Sequence, residues 1–250
     1  MRTKKSITNI SAIFKKEMSG YFGSPVAYVF IVIFLAMLGF FTFYISRFYE
    51  YRQADLRGFF FWHSWVYLFL IPAAAMRLWA EEMRMGTIEV ILTFPISVGE
   101  AILGKFLAAW AFIGICLALT FPTVITVEYL GNPDMGAIVC AYIGSFLMAG
   151  AFLSVGIMTS SLTRSQVISF ILAVVICLFF ILAGFQPVLD MLTGWAPTWL
   201  VDIVTYLSFP FHFNSMQRGV LDLRDIVYYL SIIFFMLFAN GIMIQNRKTA

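Results

Sequence analysis

Histidine, cysteine and charge are all scarce in this chain. Its 250 residues include two His and three Cys, and only 12% are Asp, Glu, Lys or Arg. The scarcity of imidazoles argues against a metal centre. His63 falls near the start of an apolar run, where a single imidazole packs between helices more often than it binds an ion. Cys116, Cys140 and Cys177 all fall inside apolar runs, so they read as packing thiols and imply no disulfide framework. Asp and Glu are nearly confined to the stretches between runs, with Glu128 at a run end, which argues against a proton relay within a membrane. What dominates instead is apolar: 62% of the residues are hydrophobic and the mean hydropathy is +0.92. A water-soluble core of this size requires neither value, so the chain reads as a polytopic membrane protein.

A spanning helix needs roughly 20 predominantly apolar residues. Six such runs occur, near 25–46, 59–79, 103–127, 137–159, 167–185 and 226–244. The predicted fold is therefore all-α, a single membrane domain over 1–250 with no room for a soluble catalytic domain. The first run is too long for a signal-peptide core and lacks a clear small-residue cleavage site, so it is expected to be retained. With the N-terminus inside, Arg2, Lys4, Lys5, Lys15, Lys16, Arg77, Arg84, Lys105, Arg164, Arg247 and Lys248 lie on the cytoplasmic side, against Arg47, Arg52, Arg57, Arg218 and Arg224 outside. This bias of eleven to five, with an even number of spans, predicts both termini in the cytoplasm. Topology thus accounts for the net charge of +3, and no nucleic-acid partner is implied.

Three segments outside the spans carry information. Residues 6–22 place Ile7, Ile10, Phe14, Met18 and Tyr21 at steps of three and four, with Lys15, Lys16 and Ser19 opposite, the pattern of an amphipathic interfacial helix. Such a helix either sets the angle of the first span or grips a partner. Ser24-Pro25 then caps and opens the first span.

The second segment, RLWAEEMRMGTIEVILTFPISVGEAILGK from Arg77 to Lys105, interrupts two apolar runs with several charges, and its core is 80–100. The preceding helix continues past the membrane edge, with Trp79 among the headgroups and Glu81, Glu82 and Arg84 in water. Gly86 reverses the chain. Thr87 is placed to N-cap a short helix, Ile88 to Phe94, with Glu89 at its positive end and Pro95 ending it. Ser97 and Glu100 have capping-box spacing for the next span. The pattern is a cytoplasmic handle by which something outside the bilayer moves the helices within it.

The third segment, 186–225, is long and apolar for a connector and is broken by Pro187, Pro197 and Pro210. It is expected to dip into the outer leaflet as short protein-shielded helices, forming either an external gate, with Trp195, Trp199, His212 and Arg218 as candidates, or a static cap.

Other motifs weigh less. GEAILGKF from Gly99 nearly spells a phosphate-binding loop, but Phe106 replaces the hydroxyl residue and no strand precedes it. Ser154 in GAFLSVG suggests an intramembrane serine enzyme, yet both histidines fall far from it along the bundle. Ala137, Ala141, Ser145 and Ala149 form a small-residue face for close helix packing, within the subunit or between subunits.

The handle resembles the signature of ABC-2 type transporter permeases, whose acidic-basic pair, Gly-Thr, acidic residue, Pro and Gly-Lys appear here as Glu82, Arg84, Gly86-Thr87, Glu89, Pro95 and Gly104-Lys105. The similarity extends over nearly the whole chain: interfacial helix, six spans and reentrant connector. The run from His212 to Asp225 is similar to the gliding-motility type subgroup. The resemblance implies a permease in the bacterial inner membrane, with a second permease copy or paralogue and a separately encoded ATP-binding cassette ATPase that holds the ATP and Mg. It implies no cofactor or catalytic residue in this chain, and leaves room for a periplasmic accessory subunit. Glu81, Glu82, Arg84, Thr87 and Glu89 become ATPase contacts or hinge residues, with headgroup-level charge as the plain alternative. The path would run between subunits, lined by the first, second and fifth spans. A passive channel or scaffold is the competing class.

Overall fold

A computed structural model describes residues 2–50, 55–87, 96–194 and 196–249, all in helices or the short turns between them. Helix α1, Arg2–Phe22, ends just before Ser24, whose Oγ accepts from the Val26 amide and opens α2, Pro25–Phe40. The first span continues through one wide π turn, Phe41–Ile45. Helix α3, Arg57–Ala75, passes at Met76 into α4, Arg77–Met85. The join follows Pro72, which has no N–H to donate and so weakens the ladder one turn earlier. Helix α5, Val98–Ala118, is followed by α6, Phe121–Leu130, with Pro122 at the break.

Asp134 caps α7, Met135–Ser160, by accepting from the Ala137 amide. Ser165 likewise caps α8, Gln166–Leu182, which bends by 69° into α9, Gln186–Thr193. Helices α10, Thr198–Tyr206, and α11, Phe209–Gln217, lead to α12, Leu223–Thr249.

The chain is an all-α multi-pass membrane protein. Among the described residues, five stretches are long and apolar enough to cross a bilayer: Pro25–Ile45, Arg57–Met85, Val98–Leu130, Met135–Ser160 and Leu223–Asn246. The fifth expected span, 167–185, joins them only when α8 and α9 are counted together, because α8 alone has 17 residues, short of the usual ~20.

Helix α7 is the central post. Every residue from Met148 to Ser160 on it is buried, and it touches α3, α5, α8, α11 and α12. Small residues permit this crowding: a Cβ on Gly156 would lie 2.6 Å from that of Ala75 on α3. The face predicted for close packing serves contacts within the chain. Ala141, Ser145 and Ala149 are buried, and Ser145 Oγ lies 2.8 Å from the Tyr67 hydroxyl on α3.

The opposite extreme is α2 and α8. Helix α8 buries Ser169, Ala173 and Cys177 while leaving Val167, Ile171, Val175 and Phe179 exposed, so one clean stripe faces outward. The apolar connector is indeed a set of short helices, but they differ. Helices α9 and α10 bury nothing, whereas α11 packs Phe209, Phe213 and Met216 into the core beside α7.

Candidate functional site

The handle leaves the bundle at the α3–α4 join, and a residue of α7 holds that join. Ser160 Oγ accepts from the amides of Trp79 and Ala80, each at 3.0 Å, and donates to the Met76 carbonyl at 2.8 Å. The free backbone groups of a broken helix are thereby satisfied without water.

Lys105 lies at the base of the handle. It is buried, and its Nζ donates to Glu82 Oε1 at 2.7 Å and to Glu17 Oε1 at 2.9 Å. The ammonium also sits 5.1 Å from the centre of the Trp79 ring, where a ring face attracts a cation. One charge thus ties α4, α5 and α1 together. Two placements in the sequence reading are corrected by this. Glu82 is not in free water, because its side chain is only 13% exposed and is held by Lys105. Trp79 does not offer its ring to headgroups either, being 1% exposed and covered by that ammonium.

The N-terminal helix meets α5 on a face rotated from the predicted one. Asn9, Ile13, Glu17 and Tyr21, four residues apart, form the seam: Ile13 closes on Gly104, where a Cβ would lie only 2.8 Å from its own. Tyr21 stacks on Phe112 at 4.8 Å. Asn9 Nδ2 donates to Glu100 Oε2 at 3.0 Å. Of the predicted apolar stripe, Ile10 and Phe14 are half-buried, while Ile7 is 69% exposed; Lys15 and Lys16 remain exposed as expected. Burial pushes the Tyr21 phenol above its ordinary range, with Arg77 opposing, and the guanidinium of Arg77 lies 5.3 Å from the Tyr21 ring centre.

The predicted capping box exists in both halves. Glu100 N–H donates to Ser97 Oγ and Ser97 N–H donates to Glu100 Oε2. Gly86 ends α4 with φ of 71°, a left-handed value that glycine adopts without strain. The Thr87 hydroxyl donates back to the Glu82 carbonyl at 3.4 Å, so it completes the end of α4. Glu81 is half-buried and Arg84 exposed. The expected short helix from Ile88 to Phe94, with Glu89, and its stop at Pro95 lie outside the described residues.

At the other end of the bundle, of the candidate gate residues Trp195 lies outside the described residues, while Trp199 and Arg218 are exposed. His212 is instead buried in a polar lock. Its Nδ1 lies 2.7 Å from Asp225 Oδ1, and its Nε2 donates to the Tyr206 carbonyl at 2.9 Å. Its ring stacks on Tyr228 at 3.9 Å. Ser215 donates to the other oxygen of Asp225. The two side chains thus share one carboxylate, and the Ser215 hydroxyl also lies 2.9 Å from the backbone carbonyl of His212, so its bond to that residue is to the main chain and not to the ring. The Ser154 hydroxyl donates to the Ala151 carbonyl of its own helix at 2.8 Å.

Sequence reasoning missed Glu17, Ser160 and the part played by Lys105. For Glu17 one signal was available: an acidic residue interrupting a basic helix, about two turns before the first span.

A family model described as ABC-2 family transporter protein matches residues 64–239. No curated protein matches the chain at a significant level.

Proposed function

The chain belongs to the ABC-2 family of transporter proteins, and from that membership we propose that it couples ATP hydrolysis by a partner subunit to export across the inner membrane. As a member it is a membrane-embedded permease subunit, with the ATPase in a separate protein. The finer reading rests on one observation: Lys105 bonds Glu82 of the handle and Glu17 of α1 at once. A push on the handle therefore cannot move α4 alone. It carries α1 and α5 with it, the rigid-body displacement by which helical domains respond to a distant engine.

In this reading the tip of the handle, with Thr87 and Glu89, contacts the ATPase, and the Lys105 cluster transmits what the tip receives. ATP and Mg are bound by the partner. Both termini lie in the cytoplasm, and a second permease copy completes the pathway. The run from His212 to Asp225 supports a cell-envelope role of the gliding-motility type, with α11 held to α12 on the outer side.

Contact and transmission separate experimentally. In a complex co-expressed with the ATP-binding subunit, Thr87→Ala with Glu89→Ala should lower recovery of the ATPase on the permease. Glu82→Gln with Lys105→Met should leave recovery intact but abolish stimulation of ATP turnover by the membrane subunit. Unchanged recovery in the first variant and unchanged stimulation in the second would show that the handle is not the coupling element.

A further inference from the structure

The join between α3 and α4 is built unlike an ordinary helix interruption. In an unbroken helix the amides of Trp79 and Ala80 point to the carbonyls of Ala75 and Met76. Here the regular pattern lapses at Met76, and a side chain from another helix stands in the ladder. Ser160 Oγ accepts from both amides and gives its own hydrogen to the Met76 carbonyl, which uses the donor and both acceptor sites of a hydroxyl. A side chain inserted in this way loosens a helix locally. Yet the two helices are not turned apart, and they run on as one stretch of 29 residues, Arg57–Met85. The two amides therefore have two sets of acceptors within reach: the Ser160 hydroxyl, and the carbonyls one turn back along their own helix. Passing from one set to the other leaves no N–H bare where water is absent, which would cost several kcal/mol per group.

The surroundings supply a fixed support on one side and a load on the other. Ser160 ends the run of α7 that is buried from Met148 onward. One turn before it, Gly156 lies so close to α3 that a Cβ there would come within 2.6 Å of that of Ala75. On the α3 side Pro72 withholds an N–H from the ladder. Beyond the join, the Trp79 ring carries the Lys105 ammonium, and through it the ties to Glu17 and Glu82. The backbone of Trp79 is thus bonded to the post while its ring faces the cluster at the base of the handle.

We infer that Ser160 is a positioning residue for coupling, the pivot on which α4 tilts against α7 when the handle is pushed; this rests on the coupling function proposed above. In one setting the hydroxyl holds the amides of Trp79 and Ala80. In the other they return to the carbonyls of Ala75 and Met76, and the ladder closes. Two hydrogen-bonded arrangements of one short segment make a hinge, and a few element-terminal residues are enough to absorb such a change. The small side chain at position 160 matters as much as its hydroxyl, because α7 must stand against the join itself for one Oγ to reach three backbone groups.

Hydrogen exchange over residues 76–82, read by mass spectrometry on the complex with the ATP-binding subunit, tests the pivot together with stimulation of ATP turnover. Ser160→Ala removes the hydroxyl and lets the ladder close. Exchange should then slow by about tenfold, the equivalent of one net hydrogen bond, with the ATPase still recovered and its stimulation lost. A mere staple would behave the other way, with faster exchange and unchanged stimulation per bound ATPase. Pro72→Ala, which restores an N–H to α3 and leaves Ser160 in place, should also lower stimulation, and it decides the matter if Ser160→Ala fails to fold. Faster or unchanged exchange in Ser160→Ala, or full stimulation in either variant, would overturn the pivot. The coupling function falls separately, if stimulation also survives Glu82→Gln with Lys105→Met.

Discussion

At the residue scale, the molecule turns on one buried cation. Lys105 has a 4% exposed side chain and two carboxylate partners, an arrangement in which removing one member of the set leaves a charge stranded away from water. Lys105→Ala should therefore cost about 3–5 kcal/mol, whereas Glu17→Gln, which leaves the Glu82 bond in place, should cost only ~1–3 kcal/mol. Replacing all three, as Glu17→Gln, Glu82→Gln and Lys105→Met, should recover most of the loss, since the penalty belongs to unpaired charge more than to lost attraction. Thermal unfolding in detergent, followed by tryptophan fluorescence, orders the three. If Lys105→Ala melts no earlier than Glu17→Gln, the ammonium is not the keystone. Lys105 and Glu82 were visible in the sequence as motif positions, but their pairing with Glu17 was not. The partners lie 88 and 23 positions away, and no spacing rule reaches that far.

At the element scale, local chemistry was legible wherever the chain satisfies its own backbone. Ser24-Pro25, Gly86 and the box of Ser97 and Glu100 all do what their types imply, because caps depend on neighbours within a few residues. The seam of α1 was read one step off. Periodicity marks the apolar side, yet the helix turns Asn9 and Glu17 inward because α5 offers them Glu100 and Lys105. The close approach that allows this comes from Gly104. Gly104→Val should force Ile13 aside, costing about 1–3 kcal/mol by overpacking, and lift α1 from α5. Limited trypsin digestion reads this as faster cutting at Lys15 and Lys16 in the variant; an unchanged digestion rate would mean that α1 is held by its polar contacts alone.

At the scale of the whole molecule, the arrangement of spans predicts which surfaces share a side. Ser11 and Thr87 should be labelled by a membrane-impermeant thiol reagent from one face, and Glu50 and Asn132 from the other, when each is changed to Cys in a cysteine-free background and tested in sealed vesicles. Labelling of Ser11 and Glu50 from the same face would break the six-span count and the inside placement of the handle. Hydropathy was sufficient to establish an all-α membrane protein and the approximate bounds of its spans, since a bilayer demands long apolar helices whatever they pack against. It also exposed the handle, because charges in an apolar chain have only the edges of the membrane to occupy. Which charges remain in water was decided by the tertiary structure alone. Burying Lys105 is tolerable only once two carboxylates from distant helices converge on it, and that convergence exists only when α1, α4 and α5 have packed.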